Sequence, residues 1–385
     1  ISSIFMIVHV IEAIDDEIVH YLMKNYNISS NQIPNELVEI RNLGFEEEKI
    51  VVELLKNELL NQSVIKKIDK QSSILILVSP KELLNHLTKN ILSSSTVSEI
   101  SNALLNFING CSKKYEIGNK VFEFNRAYLM GILNVTPDSF SDGGSYFKLE
   151  DALNYALKMI DYGADIIDIG GESTRPGSEF ISEEEEKRRV LPVIEKLLKE
   201  NNDLILSVDT TKSKVAEIAL DYGATIINDI SSMTLDRNMI KTCSKKNAAV
   251  ILMHMQGTPK TMQLNPTYDE VVSDIFNYLN SRIMDLRINN ISKIIIDPGI
   301  GFGKSINDNF TLIKRLREFS TLGYPILIGL SRKSFIGKTL NLELNERDFP
   351  TSILETISLM NSARIIRTHN VKNGRMLVDL INKII

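Results

Sequence analysis

From Tyr128 onward, apolar runs of strand length alternate with amphipathic helical segments, and this alternation repeats eight times. Alternating strands and helices predict parallel strands joined by right-handed crossovers. Eight such units in about 255 residues favour closure into a (β/α)8 TIM barrel of the α/β class. An open doubly wound sheet is the alternative, but its phosphate-binding Gly-x-Gly-x-x-Gly does not follow the first strand. The predicted strands are Leu129–Val135, Asp165–Gly170, Leu204–Asp209, Thr225–Ile230, Ala249–Met253, Lys293–Asp297, Pro325–Leu330 and Arg364–Thr368.

Helical patterns lie between these strands. Gly163 and Gly223, each within Tyr-Gly-Ala, stand where the C-terminus of a helix requires a left-handed residue. The predicted helices include Asp151–Tyr162, Glu183–Glu200, Lys212–Tyr222 and Tyr268–Arg287.

The part of the chain before the barrel has a different, mixed pattern. Residues 1–114 predict a small α/β or α+β extension, and residues 115–385 form the barrel domain. Within the barrel domain, Tyr115–Arg126 carries Gly118-Asn119 between two short β-like runs, which predicts a hairpin with a two-residue turn. We expect this hairpin, residues 115–126, to plug the N-terminal end of the barrel. The elements predicted in the extension are strands at Phe5–Val10 and Ser73–Val78 and helices at Asp15–Asn25, Glu46–Leu60, Glu82–Ile91 and Val97–Ile108.

The net charge and the cysteines limit which partners and which cellular compartment we expect for the protein. A net charge of −5 on 385 residues gives no reason to expect nucleic acid or an anionic membrane as partner. Cys111 and Cys243 form no Cys-x-x-Cys pattern and favour a reducing cytoplasm. The short apolar run at the start has no basic segment before it, so we expect no signal peptide. No uncharged apolar stretch reaches the roughly 18 residues of a spanning helix.

Polar side chains follow all eight predicted strands, at the end where active sites of parallel barrels form. An Asp, Ser or Thr after a strand can cap the next helix. Helix capping therefore stays possible as the role of Thr210, Ser331 and Asp229. Capping does not explain the cations, because a cation at the start of a helix opposes the helix dipole. We therefore interpret three cations as anion ligands: Arg175, Lys333 and Arg367.

The residue types at the strand ends narrow the chemistry. No Ser-His-Asp order, Gly-x-Ser-x-Gly elbow, His-Glu-x-x-His or Walker motif is present, which disfavours acyl transfer, zinc hydrolysis and nucleotide hydrolysis. Cations with Gly-rich turns suit a phosphate or pyrophosphate. Carboxylates and amides suit a flat heterocycle rich in N–H donors. The carboxylates and amides at these ends are Asp209, Asp297, Asn134 and Asn228.

Two long loop sequences carry a specific resemblance. Residues 131–144, Gly-Ile-Leu-Asn-Val-Thr-Pro-Asp-Ser-Phe-Ser-Asp-Gly-Gly, and residues 170–177, Gly-Gly-Glu-Ser-Thr-Arg-Pro-Gly, resemble the signature loops of the dihydropteroate synthases. Shorter motifs follow in matching order, and the likeness covers about two-thirds of the chain, from Tyr128 to the C-terminus. These motifs are Ser207–Thr210, Ile227–Ile230, Leu252–Gly257, Asp297–Gly299 and Ser331–Ser334.

The resemblance implies a reaction, its partners and a metal. The family condenses a dihydropterin hydroxymethyl pyrophosphate with para-aminobenzoate, giving dihydropteroate and pyrophosphate, and it is a sulfonamide target. Mg²⁺ is the implied cofactor and a homodimer the implied assembly. One departure is Asn370, where an acidic residue commonly follows the His. The extension does not resemble the pyrophosphokinase or the aldolase fused to some folate enzymes, and its role stays open between a structural cap, a dimer contact and a vestigial domain.

The resemblance also implies residue roles. Asp209, Asn228, Asp297 and Lys333 hold the pterin ring, and Met253 contacts its face. Arg367 stacks on the ring and holds phosphate together with His369. Asn134 ligates Mg²⁺ on the pyrophosphate, and Thr174 and Arg175 bind near the leaving group. Phe302, Lys333, Ser334 and the two signature loops border the aminobenzoate.

Physical chemistry supports this mechanism. Pyrophosphate leaves readily once Mg²⁺, Arg367 and Arg175 neutralise its charge. A carboxylate such as Asp209 or Asp297 favours the cationic pterin methylene, which the arylamine then attacks. The loops around Phe140 and Pro176 are expected to close over the site and exclude water.

Two other functions fit part of the pattern. A pterin-binding barrel that transfers a methyl group from methyltetrahydrofolate to a corrinoid protein shares the Asp and Asn contacts, but it should lack the cations near Lys333 and Arg367. A non-catalytic pterin-binding relative should lose a charged site residue, and none is lost here.

Overall fold

The computed structural model describes residues 6–55, 73–89, 94–136, 145–173, 178 and 180–385. The chain forms two compact units. The first contains the described residues up to Ser112 together with Val272–Asp274 and Arg315–Gly323, and the second contains the remainder. Among the described helices, none combines the length and apolar character needed to cross a membrane.

The first unit is built on a three-stranded antiparallel sheet whose strands β1 (Ile7–Glu12), β2 (Glu36–Arg41) and β3 (Ile74–Ile76) pair in chain order, which makes the unit α+β. The strand β2 does not appear among the predicted elements, because Glu39 interrupts its apolar run. Glu39 is nevertheless buried, and it is the register partner of His9 in β1. The elements are β1 (Ile7–Glu12), α1 (Asp16–Tyr26), a 3-10 turn (Ser30–Gln32), β2 (Glu36–Arg41), α2 (Phe45–Leu55), β3 (Ile74–Ile76), α3 (Pro80–Lys89) and α4 (Ser95–Asn109).

Both faces of this small sheet are covered. Leu37 belongs to an apolar cluster with Ile18 and Leu22 of α1. Val38, one residue further along β2, belongs to a second cluster that includes Phe107 of α4. Because neighbouring strand residues point to opposite faces, the sheet separates two apolar cores.

Eight parallel strands close into a barrel in the second unit: each strand pairs with the next one along the chain, and the last pairs with the first. The fold class predicted from the alternation is confirmed. Each predicted strand is found, with ends that differ by at most two residues. The strands are β6 (Tyr128–Asn134), β7 (Ile166–Gly170), β8 (Leu206–Asp209), β9 (Ile226–Asp229), β10 (Ala249–Met253), β11 (Ile294–Asp297), β12 (Ile326–Ile328) and β13 (Ala363–Thr368).

Helices follow the barrel strands as predicted, although α5 (Ser145–Asp161) begins before Asp151 and α9 (Val271–Ile288) begins after Tyr268. Ser182 caps α6 (Glu183–Glu200) by accepting a hydrogen bond from the Glu185 amide. Four glutamates in the first turn stabilise the helix, because their negative charges lie at the positive end of the helix dipole. Gly163 and Gly223 have left-handed backbones, with φ of 88° and 108°, as predicted. The helices are α5 (Ser145–Asp161), α6 (Glu183–Glu200), α7 (Ser213–Asp221), α8 (Met239–Lys245), α9 (Val271–Ile288), α10 (Ile306–Lys314), α11 (Ser334–Leu340), α12 (Asp348–Met360) and α13 (Val371–Ile381), with 3-10 helices at Leu316–Leu322 and Leu344–Glu346.

A hairpin of β4 (Lys114–Ile117) and β5 (Lys120–Glu123) precedes the barrel and turns at Gly118-Asn119, as predicted. The Tyr115 hydroxyl donates to the carbonyl oxygen of Ile294, the first residue of β11, at 2.9 Å. The hairpin therefore lies against the amino ends of the strands, which leaves the carboxyl ends for the polar residues.

Candidate active site

The guanidinium of Arg367, near the end of β13, reaches two carboxylates on other strands. Its Nε lies 2.6 Å from Oδ2 of Asp168 in β7, and its Nη2 lies 3.0 Å from Oδ2 of Asp209 in β8. Asp168 is fully buried and Asp209 nearly so. Paired, hydrogen-bonded charges of this kind are how a protein keeps ions in its interior.

Asn228 of β9 joins this group. Its carboxamide Nδ2 donates to Oδ2 of Asp168 at 3.0 Å, so one buried carboxylate oxygen orients both Arg367 and Asn228. Burial raises the pKa of Asp209 to about 7; Arg367 works against this rise and Asp168 adds to it. The result is a row of carboxylate and amide groups across β7, β8 and β9.

A second polar group lies at the ends of β11 and β12. Burial raises the pKa of Asp297, which accepts a hydrogen bond from the Gly299 amide at 2.7 Å, while Lys333 opposes the rise. Burial lowers the pKa of Lys333 to about 8, and Asp297 opposes that change. The Lys333 ammonium donates to the Ile300 carbonyl and stands 4.3 Å from the centre of the Phe302 ring, a cation–π contact.

Two further predicted residues have distinct surroundings. Met253 ends β10 in register with Asp297 of β11, and its side chain is buried. His369 follows β13, and both its backbone amide and its Nδ1 lie within hydrogen-bond distance of the Ser331 hydroxyl, at 3.1 and 2.9 Å. Ser331 therefore orients His369.

Thr210, Ser331 and Asp229, which the sequence left open as helix caps, make different contacts in the structure. No side-chain cap bonds the N-terminus of α11, so Ser331 is not a helix cap. Thr210 accepts from the Lys212 amide at 3.2 Å, ahead of α7. Asp229 accepts from the amides of Ser231 and Met233 and closes a turn after β9.

Asn134 is the last residue of β6, and its register partner is Gly170 of β7. Ser334 begins α11 and is exposed. It borders a cavity of about 330 Å³ between the loops that follow β10, β11 and β12. Thr174, Arg175, Phe140 and Pro176 lie outside the described residues, as do most residues of the two signature loops.

Asp168 is a site residue that sequence reasoning missed, because it lies inside a strand and not at its end. The signal was available: a single charge interrupts the apolar run Ile166–Gly170. A charge in a strand buried on both faces must find a partner, and Arg367 is that partner.

A closed parallel barrel whose polar and charged side chains gather at the carboxyl ends of the strands defines an enzyme of the (β/α)8-barrel class. Residues 130–369 match the family model described as "Pterin binding enzyme". The dihydropteroate synthase of Clostridium beijerinckii is 46% identical over 279 residues, which cover 69% of this chain and 98% of that protein. The chain belongs to the pterin-binding enzyme family, among the dihydropteroate synthases.

Solved structures give the same result. The Yersinia pestis dihydropteroate synthase in complex with a sulfonamide drug superposes with a TM-score of 0.67 at 40% identity, covering 71% of this chain and 99% of that one. The Xanthomonas albilineans dihydropteroate synthase with 4-aminobenzoic acid has a TM-score of 0.67 at 37% identity, covering 71% and 98%.

Proposed function

We infer that this protein is a dihydropteroate synthase, which joins a dihydropterin hydroxymethyl pyrophosphate to para-aminobenzoate and releases pyrophosphate. The observation that carries this function is the arrangement around Arg367, whose guanidinium lies between Asp168 and Asp209 beside the amide of Asn228. This arrangement offers acceptors to the N–H groups of a pterin and a cation to its pyrophosphate.

The carboxylates and amides hold the pterin. Asp209 and Asn228 offer acceptors to the ring donors from β8 and β9, and Asp297 does so from β11. The Lys333 ammonium donates to an acceptor of the ring. A planar ring with adjacent N–H donors pairs well with a carboxylate, because both donors reach the two carboxylate oxygens. Met253 supplies an apolar contact to the ring face.

Arg367 and His369 act on the leaving group. The ion pairs of Arg367 use Nε and Nη2, which leaves Nη1 able to donate to a pyrophosphate oxygen. His369, held by Ser331, lies two residues further along the chain and adds a second donor. Thr174 and Arg175 are proposed to bind the same pyrophosphate.

Mg²⁺ fits the donors at the end of β6. Within the described residues no cluster of three or more His, Cys, Asp or Glu forms a ready metal cage. Mg²⁺ does not require one, because it keeps several waters and takes substrate phosphate oxygens as ligands. Asn134 is a half-buried residue whose carboxamide oxygen lies beside Gly170, and this oxygen can serve as the protein ligand. When bound, Mg²⁺ would neutralise charge on the pyrophosphate.

The bond change needs no protein nucleophile. The C–O bond between the pterin methylene and the pyrophosphate breaks, and its electron pair leaves with the pyrophosphate. Carboxylates Asp209 and Asp297 stabilise the cationic methylene that results. The arylamine nitrogen then forms the C–N bond with its lone pair and loses a proton to solvent. Phe302, Lys333 and Ser334 are proposed to border the aminobenzoate.

A direct assay tests this function. The protein is incubated with the pterin pyrophosphate, para-aminobenzoate and Mg²⁺, and dihydropteroate and pyrophosphate are quantified by chromatography. We expect product from the parent chain and from Lys241→Ala and Arg237→Ala, and about a hundredfold less from Lys333→Ala and Arg367→Ala. A folded parent chain that binds the pterin tightly but forms no dihydropteroate would exclude the synthase and favour methyl transfer or simple binding.

We also propose that the protein is a homodimer and works in the cytoplasm. Phe349, Ile353 and Ile357 form an exposed apolar stripe at four-residue spacing on α12. Met376 and Leu380 continue it on α13, which packs against α12. An apolar surface that extends over two helices favours a protein partner, and a second copy presents the same stripe. Cys111 and Cys243 are buried and form no disulfide with each other, as a reducing compartment favours.

Sedimentation equilibrium tests the dimer. The parent chain should sediment at twice the mass of one chain, and Phe349→Glu at the mass of one. Ile288→Glu, which introduces the same charge at a comparably exposed position on α9, should stay dimeric. A parent chain that is monomeric at all concentrations would contradict the proposal.

A further inference from the structure

Lys304 is a buried lysine beside the proposed arylamine site. Only 3% of its surface is exposed, although it stands at the end of the loop between β11 and α10. Its ammonium donates to the Phe302 carbonyl at 3.0 Å and lies 3.0 Å from Nδ1 and 3.4 Å from the carbonyl oxygen of His254. Removing an ammonium from water costs several kcal/mol, so its retention requires compensating contacts of this kind.

These contacts join two loops. Phe302 belongs to the loop after β11, and His254 belongs to the loop after β10. Backbone approaches backbone here, since a Cβ at Gly299 would stand 1.9 Å from the His254 carbonyl oxygen. Gly299 also has a φ of 72°, so only glycine allows both its conformation and this approach.

Burial and the charge of Lys304 keep His254 neutral. Burial lowers the pKa of His254 to about 2, and Lys304 lowers it further. A neutral ring with Nδ1 as acceptor is the form that can take a hydrogen bond from the Lys304 ammonium. Burial lowers the pKa of Lys304 to about 7, while Asp297 and Asp308 favour its charged form and Lys333 disfavours it.

The loop that Lys304 holds also sets the position of Lys333. The Lys333 ammonium donates to the Ile300 carbonyl and lies over the Phe302 ring, and both partners belong to this loop. A shift of the loop therefore moves both Phe302 and the cation beside the arylamine.

We propose that Lys304 is a positioning residue of the condensation: its ammonium ties the loop carrying Phe302 to His254 and so fixes the wall against which the arylamine docks. This inference rests on the proposed synthase function. It assigns Lys304 no contact with either substrate and no part in the bond changes.

The test compares two variants. Lys304→Met keeps the length of the side chain but removes its charge and hydrogen-bond donors, whereas Lys304→Arg keeps the charge and the donors. Lys241→Met serves as control, because Lys241 is exposed on α8. We expect Lys304→Met to raise the KM for para-aminobenzoate about tenfold or more, since small displacements weaken binding and catalysis strongly. The Kd for the pterin pyrophosphate, measured by calorimetry, should rise less than this KM, because Asp209 and Asn228, which are proposed to hold the pterin, lie on β8 and β9 and not on the loop. Lys304→Arg should recover most of the KM.

The proposal is overturned by an unchanged KM in a folded Lys304→Met, whether or not kcat falls. It is also overturned by an arginine variant as defective as the methionine variant. If Lys304→Met does not fold, Lys304→Gln takes its place, and an unchanged KM in that variant also overturns the proposal. Hydrogen exchange of residues 299–303 provides a readout that needs no turnover. Faster exchange in Lys304→Met supports the positioning role even if the parent chain makes no dihydropteroate, whereas unchanged exchange contradicts it.

Discussion

The guanidinium of Arg367 lies 2.6 Å from the carboxylate of Asp168, and that carboxylate is completely buried inside the barrel. The same carboxylate oxygen accepts a hydrogen bond from Asn228. One buried side chain thus fixes the orientation of two residues proposed to hold opposite ends of the pterin substrate.

Asp168→Asn is expected to lower kcat/KM about 10- to 100-fold, because Arg367 and Asn228 lose their common anchor. The variant should also have a free energy of unfolding lower by about 3 kcal/mol, because the Arg367 guanidinium then lacks one of its two carboxylate partners. Steady-state kinetics and urea unfolding measure the two effects, with Asp151→Asn on the exposed side of α5 as control. Full activity in a folded Asp168→Asn would mean that other contacts orient Arg367.

The pH dependence of kcat/KM for the pterin should be bell-shaped. The pKa of Asp209 is raised to about 7, so its carboxylate form, which we propose accepts the ring donors, is lost as the pH falls below that value. The pKa of Lys333 is lowered to about 8, so its cation is lost as the pH rises above that value. Initial rates between pH 5.5 and 9.5 test both limbs. Lys333→Arg should abolish the descending limb, and a descending limb that persists would assign it to another group.

Turnover should stop when EDTA removes Mg²⁺ and return when Mg²⁺ is restored. Asn134→Ala is expected to raise the Mg²⁺ concentration for half-maximal rate at least about tenfold, because the proposed side-chain ligand of the metal is lost. Titrating the rate with Mg²⁺ checks this, and Asn154→Ala on α5 is the matched control. The same Mg²⁺ requirement in Asn134→Ala and the parent would place the metal on other ligands.

The first unit should depend on a buried ion pair. Glu318 accepts two hydrogen bonds from Arg315, at 2.6 and 3.1 Å, and its carboxylate lies 2.8 Å from Nε2 of His9. All three side chains are fully buried. Glu318→Gln is expected to lower the free energy of unfolding of this unit by about 3 kcal/mol, because a buried guanidinium loses its countercharge. Urea unfolding and limited proteolysis measure the change.

The exposed Glu53→Gln on α2 is the control for this variant, and it should unfold like the parent. Equal stability of Glu318→Gln and the parent would show that the other contacts of Arg315 compensate for its charge.

The sequence by itself determined the barrel. Strand and helix alternation is a local property, so eight strands, the hairpin turn and the left-handed Gly163 and Gly223 could be predicted from residues near one another in the chain. The long loop motifs also identified the family, although most of their residues lie outside those that the structure describes. Which strand ends carry polar side chains followed from the strand boundaries.

Only the tertiary structure decided how those side chains pair. Asp168 and Arg367 are 199 residues apart, and no local pattern indicates that one neutralises the other. In the sequence, nothing distinguishes Lys304 from the other cations near the strand ends. In the structure it is buried between two loops, because His254 and Phe302 accept its hydrogen bonds. The strand β2 was not predicted for a similar reason: Glu39 can be buried in it because it has partners on other elements. Burial of a charge depends on where its countercharge lies in space, and the order of residues along the chain does not record that.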